Sequence, residues 1–199
     1  MRIERDRVEV DGVAVRVAKK IYLMLNKPRG VVTTAADEKG RETVYEYLDH
    51  GLPWVGPVGR LDKASEGLLL LTNDPEWAGR ITAPETHLEK IYHVQIRGAA
   101  DADLLEAMLK GIRTSDGEML RARRVDMLRE GERNMWLEVV LDEGKNRHIR
   151  RMLEQKGIEV LRLIRVAIGP LALGDLEKGA TRALTAAEKQ ALDAAMRRH

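Results

Sequence analysis

The stretch GRLDKASEGLLLLTND, residues 59–74, places Arg60, Asp62, Lys63 and Glu66 within eight residues and then runs into Leu68, Leu69, Leu70 and Leu71. The leucine run reads as a buried strand. The Arg-Leu-Asp turn before it would hold the Asp62 carboxylate on a rigid element, partly out of water. Burial disfavours a charged carboxylate unless a cation pairs with it, so Asp62 needs a partner. The same residue could instead be a turn former whose side chain bonds its own backbone. On residues alone both readings stand.

Outward from this stretch the chain reads as α+β. VEVDGVAVRV (8–17) looks like two short strands about the Asp11-Gly12 turn. IYLMLNKPRGVVTT holds a strand, a break at Asn26-Lys27-Pro28-Arg29-Gly30 and a second short strand. A helix is expected over Thr43–His50, ended by Gly51, and GLPWVGPVG after it reads as a loop. Asp74 is placed to cap a helix that has Pro75 at its first position and runs to about Ile81. LEKIYHVQIRG is a strand with Lys90, Tyr92, Val94 and Ile96 on one face. Asp101 leads a helix to Lys110, closed by Gly111.

In the second half LRARRVDMLRE and NMWLEVVLDEG read as paired strands, with Leu137, Val139 and Leu141 inward. NRHIRRMLEQKG carries Ile149, Met152 and Leu153 at helical spacing before Gly157. VLRLIRVAIGPL is a strand, and TAAEKQALDAAMRRH a helix capped by Thr185 with Glu188 completing a capping box.

Composition narrows the chemistry. The chain has 199 residues and no cysteine, which excludes disulfides, thiolate metal sites and cysteine nucleophiles. No apolar run approaches the ~20 residues of a membrane span, and the first residues lack the apolar core of a signal peptide. A cytoplasmic protein is expected. The net charge of +2 is only mildly basic, but arginine and lysine gather in RARR (121–124) and KNRHIRR (145–151). No phosphate-cradling glycine loop is present. The five histidines form no pair at ligand spacing, so no metal is expected.

Five segments, in order, carry a resemblance: LNKPRGVVTT (25–34), VGRLDKASEGLLLLTND (58–74), EKIYHVQIRG (89–98), EGKNRHIRRM (143–152) and LRLIRVAIGPLALGDLEKGATRAL (161–184). The sequence resembles the RsuA-type bacterial pseudouridine synthases. The resemblance implies a curved, mostly antiparallel mixed sheet in two halves with flanking helices and a central basic cleft. It implies isomerisation of a specific uridine in ribosomal RNA, with no cofactor. The same reaction on transfer RNA, or a non-catalytic RNA-binding or ribosome assembly role, are the alternatives. Structured RNA is the expected partner and a monomer the expected state.

By the same resemblance Asp62 is the catalytic aspartate, Tyr92 the ring that stacks on the flipped base, and Arg150 the cation paired with Asp62. Arg60 would help hold the RNA open, and Leu163 matches an apolar position beside the site. Lys27, Arg29, Lys145, Arg147 and Arg151 are expected RNA contacts, with Arg121, Arg123 and Arg124 behind them. Family members often begin with an RNA-binding domain of about 60 residues. Here residues 1–20 look like its remnant and linker, and 21–199 like the catalytic domain. His148 stands where glutamine is common.

Overall fold

The computed structural model describes residues 19–34 and 37–197, together with the backbone of 8–10 and 13–15. Strands β1 (Val8–Val10) and β2 (Val13–Val15) pair antiparallel as expected. The Asp11-Gly12 turn between them, and most of the 1–20 arm, lie outside the described residues.

In chain order there follow β3 (Tyr22–Lys27), β4 (Gly56–Val58), β5 (Glu66–Thr72), α1 (Pro75–Thr82), β6 (Lys90–Arg97), α2 (Ala102–Lys110) and the small hairpin β7 (Ile112–Arg113) with β8 (Met119–Leu120). Then come β9 (Arg124–Glu130), β10 (Asn134–Leu141), α3 (His148–Gln155), β11 (Val160–Ile168), β12 (Leu171–Ala172), β13 (Thr181–Ala183) and α4 (Ala186–Ala195). The helix starts follow from their caps. The Asp74 carboxylate accepts from the Trp77 N–H, Asp101 from Leu104, and Thr185 from Glu188 in a complete capping box.

Among the described residues nine strands form one sheet in the order β13-β3-β5-β11-β6-β10-β9, with β4 also on β5 and β12 on β11. Every pairing is antiparallel except β5 with β11. That parallel contact joins only Glu66 to Ile164 and Gly67 to Arg165, and it is the seam between two half-sheets.

The four leucines of β5 are explained by the packing on both sides of it. Leu68 and Leu70 face a core built with Trp77, Ile81, Leu192 and Met196 under α1 and α4. Leu69 and Leu71 face the opposite layer with Leu23, Leu25, Val31 and Val55. All four have 0% exposure. Their burial contributes roughly 2 kcal/mol each. The other half-sheet packs Val94, Ile96, Leu137 and Val139 against Met108, Met152 and Leu153 of α2 and α3.

Three expectations change. Thr43–His50 forms only a single 3₁₀ turn, Val44–Tyr47, although Thr43 and Glu46 make a capping box. The chain leaves it extended at Leu48, and the Tyr45 hydroxyl donates to the Val55 carbonyl. The supposed GLPWVGPVG loop contains β4, an edge strand where Pro57 costs no ladder bond. After Gly30 there is only an isolated bridge, Val32 to Thr43, rather than a second strand.

Candidate active site

Two strands share one edge of β5. Strand β11 pairs with it at Glu66 and Gly67, and β4 at Leu70 to Thr72. Between them the sheet parts, and the chain leaving β4 turns through Gly59, Arg60, Leu61 and Asp62 before re-entering as β5. A cavity of about 360 Å³ opens there, lined by that turn, by Lys90 and Tyr92 of β6, by Leu163 and Arg165 of β11, and by the segment leading into α3.

The turn that carries Asp62 is held at five successive carbonyls. Thr33 Oγ donates to Leu61 O at 2.9 Å, the Ser65 N–H to Asp62 O at 2.9 Å, and the Gly30 N–H to Lys63 O at 2.7 Å. Arg150 Nη2 donates to Ala64 O at 3.1 Å, and Lys27 Nζ to Ser65 O at 2.7 Å. Three partners come from the segment 27–33, one from α3 and one from within the turn, so the backbone cannot drift without breaking several bonds, each worth about 1 kcal/mol. The half-buried Asp62 carboxylate itself makes no hydrogen bond or ion pair among the described residues.

The expected ion pair between Arg150 and Asp62 is therefore not formed. Arg150, 8% exposed, grips the turn two residues beyond the carboxylate. Its coupling to Asp62 is through space. Burial, with the like charge of Arg147, lowers the guanidinium's pKa, and the Asp62 charge opposes that.

Tyr92 is half-buried between the two half-sheet cores and lines the cavity, its hydroxyl unpaired among the described residues. Leu163 is buried beside it. Arg60 is exposed on the rim, and Arg29, also exposed, donates to the Leu161 carbonyl at 3.2 Å.

Other expected RNA contacts have partners within the protein, one of them buried and the rest at the surface. Lys27 has 0% exposure and bonds the Pro28 and Ser65 carbonyls, so it props the turn from within. Its burial lowers its pKa to about 8, against the pull of Glu66 and Asp62. Arg151 is held by Asp116 and Glu118, both at 2.7 Å, because the β7–β8 hairpin folds onto α3. Lys145 lies between Glu118 and Glu143, and Arg147 bonds Glu154. Arg123 meets Glu89 and Asp142, and Arg124 meets Asp126 and Glu138.

Three groups near the site escaped the reading of the sequence. Glu66 is 2% exposed and takes both forks of Arg162, at 3.1 and 2.9 Å, with Lys178 at 2.9 Å. Burial pushes its carboxyl up, but those cations outweigh it and hold the pKa below its ordinary value. Arg165, 7% exposed, donates from Nε to the Leu68 carbonyl at 2.8 Å, at the gap where β11 and β4 part. Lys90 lies two residues before Tyr92 on the same face, so alternation did carry a signal for it. His148, also on the wall, donates from Nε2 to the Arg121 carbonyl at 2.9 Å, and its burial lowers its pKa.

The chain matches the RNA pseudouridylate synthase family over residues 21–155. It is 36% identical over 190 residues to the ribosomal large subunit pseudouridine synthase B of Bacillus subtilis, covering 95% of this chain and 78% of that one. It is 40% identical over 176 residues to an uncharacterized RNA pseudouridine synthase of Rickettsia felis, covering 88% and 76%. A solved pseudouridylate synthase superposes with a TM-score of 0.77 at 32% identity, over 87% of this chain and 74% of its own.

Proposed function

The chain belongs to the RNA pseudouridylate synthase family, and from that premise we propose that it converts a uridine of ribosomal RNA to pseudouridine in the cavity beside Asp62. That it is an RNA pseudouridine synthase, an isomerase, follows from the family. Ribosomal RNA as the substrate rests on the name of the Bacillus subtilis relative.

The observation that carries the site is the contrast within one turn: five carbonyls tied down and one carboxylate without a hydrogen-bond or ion-pair partner among the described residues. A carboxylate so held is pre-positioned for a reaction at C1′ of a bound nucleotide. The ring of Tyr92 would receive the uracil once it leaves the RNA stack. Flipping costs a few kcal/mol, and an aromatic platform returns about 1–3 kcal/mol of it. Leu163 would close the apolar side. Arg150 acts as a positioning residue, through Ala64, and adds positive potential at the carboxylate.

The test is direct. Unmodified ribosomal RNA transcripts are incubated with the purified chain, and pseudouridine is mapped at nucleotide resolution. The same mapping on RNA from cells lacking the protein names the uridine. No conversion on any ribosomal transcript, alongside conversion on transfer RNA, would move the substrate to the latter.

Of the expected RNA contacts that line the cavity, Arg60 has an exposed guanidinium unpaired among the described residues. Arg60→Ala is expected to reduce the slope of log affinity against log salt by about 0.7–0.9, one phosphate's share. Arg151→Ala should instead lower the unfolding midpoint slightly, since it removes the partner of Asp116 and Glu118 from a solvent-screened network. Equal salt slopes for parent and Arg60→Ala would remove Arg60 from the RNA face.

A further inference from the structure

Beyond the carboxylate and the ring, the cavity holds two cations that the roles above leave unused. Lys90 is half-buried and opens into the cavity with no hydrogen-bond or ion-pair partner among the described residues. Arg165 bonds Leu68 through Nε, but its Nη2 is buried with no hydrogen-bond partner. Both flank Tyr92. Lys90 is two residues along β6 on the same face, about 7 Å away along the strand, and Arg165 is its direct neighbour across the β6–β11 ladder. Asp62 projects from a different wall, on the β4–β5 turn.

An unpaired ammonium held beside a guanidinium is costly to the free protein. The cost is offset when a negative charge arrives between them. The reaction generates one. When the bond from C1′ to N1 breaks, its electron pair leaves with the uracil, whose charge spreads over N1, O2 and O4. The charge is quenched when C5 bonds to C1′ and the hydrogen on C5 passes to N1, so nothing is oxidised or reduced.

We infer that Lys90, backed by Arg165, donates to a carbonyl oxygen of the detached uracil and stabilises its charge while the base turns from N1 to C5. This rests on the assignment of the Asp62 cavity as the place of reaction. A base lying on Tyr92 has its polar edge within reach of a lysine two residues along the same strand face. Because the interaction strengthens as charge develops, it acts on the chemical step more than on binding.

The charged groups facing Lys90 are Arg165 from β11 and Asp142 just after β10, while Arg60, Asp62, Glu143, Lys145, Arg147 and His148 share the wall. Burial first, then Arg165, lowers its pKa to about 8, and Asp142 opposes them. The working form is the ammonium, present below that pH and lost as pH rises through it.

The experiment measures single-turnover rate and apparent KM on RNA for the parent, Lys90→Gln, Lys90→Arg and Asp62→Asn across pH 6 to 10. Lys90→Gln is expected to slow the chemical step by roughly 100-fold with KM within about threefold. The parent's rate should fall above about pH 8, and Lys90→Arg, which keeps its charge, should lose that fall. An unchanged rate in Lys90→Gln, or a loss wholly in KM with a reduced salt slope, overturns the inference. The latter would make Lys90 a phosphate contact. The same high-pH fall in Lys90→Arg also overturns it. If Asp62→Asn retained full activity, the cavity assignment would fail instead, so the two failures are told apart.

Discussion

Asp62→Asn is expected to lower the rate of pseudouridine formation by roughly 10⁴-fold or more, as removal of a central catalytic group does, while RNA affinity stays within about threefold of the parent. The substitution is close to isosteric. It removes no hydrogen bond of the carboxylate among the described residues, because the bonds that hold the turn are made by backbone carbonyls. The fold therefore has no reason to change, and the loss would report chemistry. An amide cannot serve as the nucleophile or base that any route from N1 to C5 needs at the sugar. Rates come from a pseudouridine-specific assay at saturating enzyme, and affinities from filter binding. Full conversion by Asp62→Asn would refute the catalytic assignment. A parallel collapse of binding and unfolding temperature would make Asp62 a structural residue.

The second large effect is on stability. Gly67 stands in the seam of the sheet with φ +105°, and a Cβ there would lie 2.2 Å from the Arg165 carbonyl oxygen and 2.8 Å from its nitrogen. Both are backbone atoms of a central strand, so no side chain can swing aside. Gly67→Ala is expected to cost on the order of 4 kcal/mol, from the clash and the unfavourable backbone conformation together. It should also depress activity, since Asp62 lies five residues upstream and Arg165 lines the cavity. Urea denaturation checks the first effect. Gly79→Ala is the control: in the middle of α1, with nothing within 4 Å of the added carbon, it should gain up to about 1 kcal/mol. A Gly67→Ala variant within 1 kcal/mol of the parent would mean that β5 and β11 can separate freely.

Much of the fold was legible locally. The Asp74, Asp101 and Thr185 caps begin their helices because a side-chain oxygen three residues before an orphan N–H satisfies it regardless of the rest of the chain. The alternation of β6 placed Val94 and Ile96 in the core. By contrast β4, three residues long with a proline inside, carries no local signal. It is a strand because β5 offers it an edge. The cations divide in the same way. Lys27, Arg60 and Arg151 are indistinguishable as sequence. Lys27 is interior because Ser65 returns over it, Arg151 is neutralised because β7 and β8 close onto α3, and Arg60 alone of the three keeps a free guanidinium.

By itself the sequence determined the α+β content, the position of the carboxylate before a doubly buried strand, and, through five ordered segments, the family. These follow from short-range periodicity, capping and motif order, which need no knowledge of what packs against what. The tertiary structure alone decided how the halves meet, since a two-pair parallel seam between residues about 100 positions apart leaves no local trace. It also decided that Arg150 holds the backbone of the Asp62 turn rather than the carboxylate, and that the Lys90 ammonium and the Arg165 Nη2 flank Tyr92 unpaired among the described residues. A charge's role depends on which opposite charges and carbonyls the fold brings within reach of it, and that is set by distance in space, not along the chain.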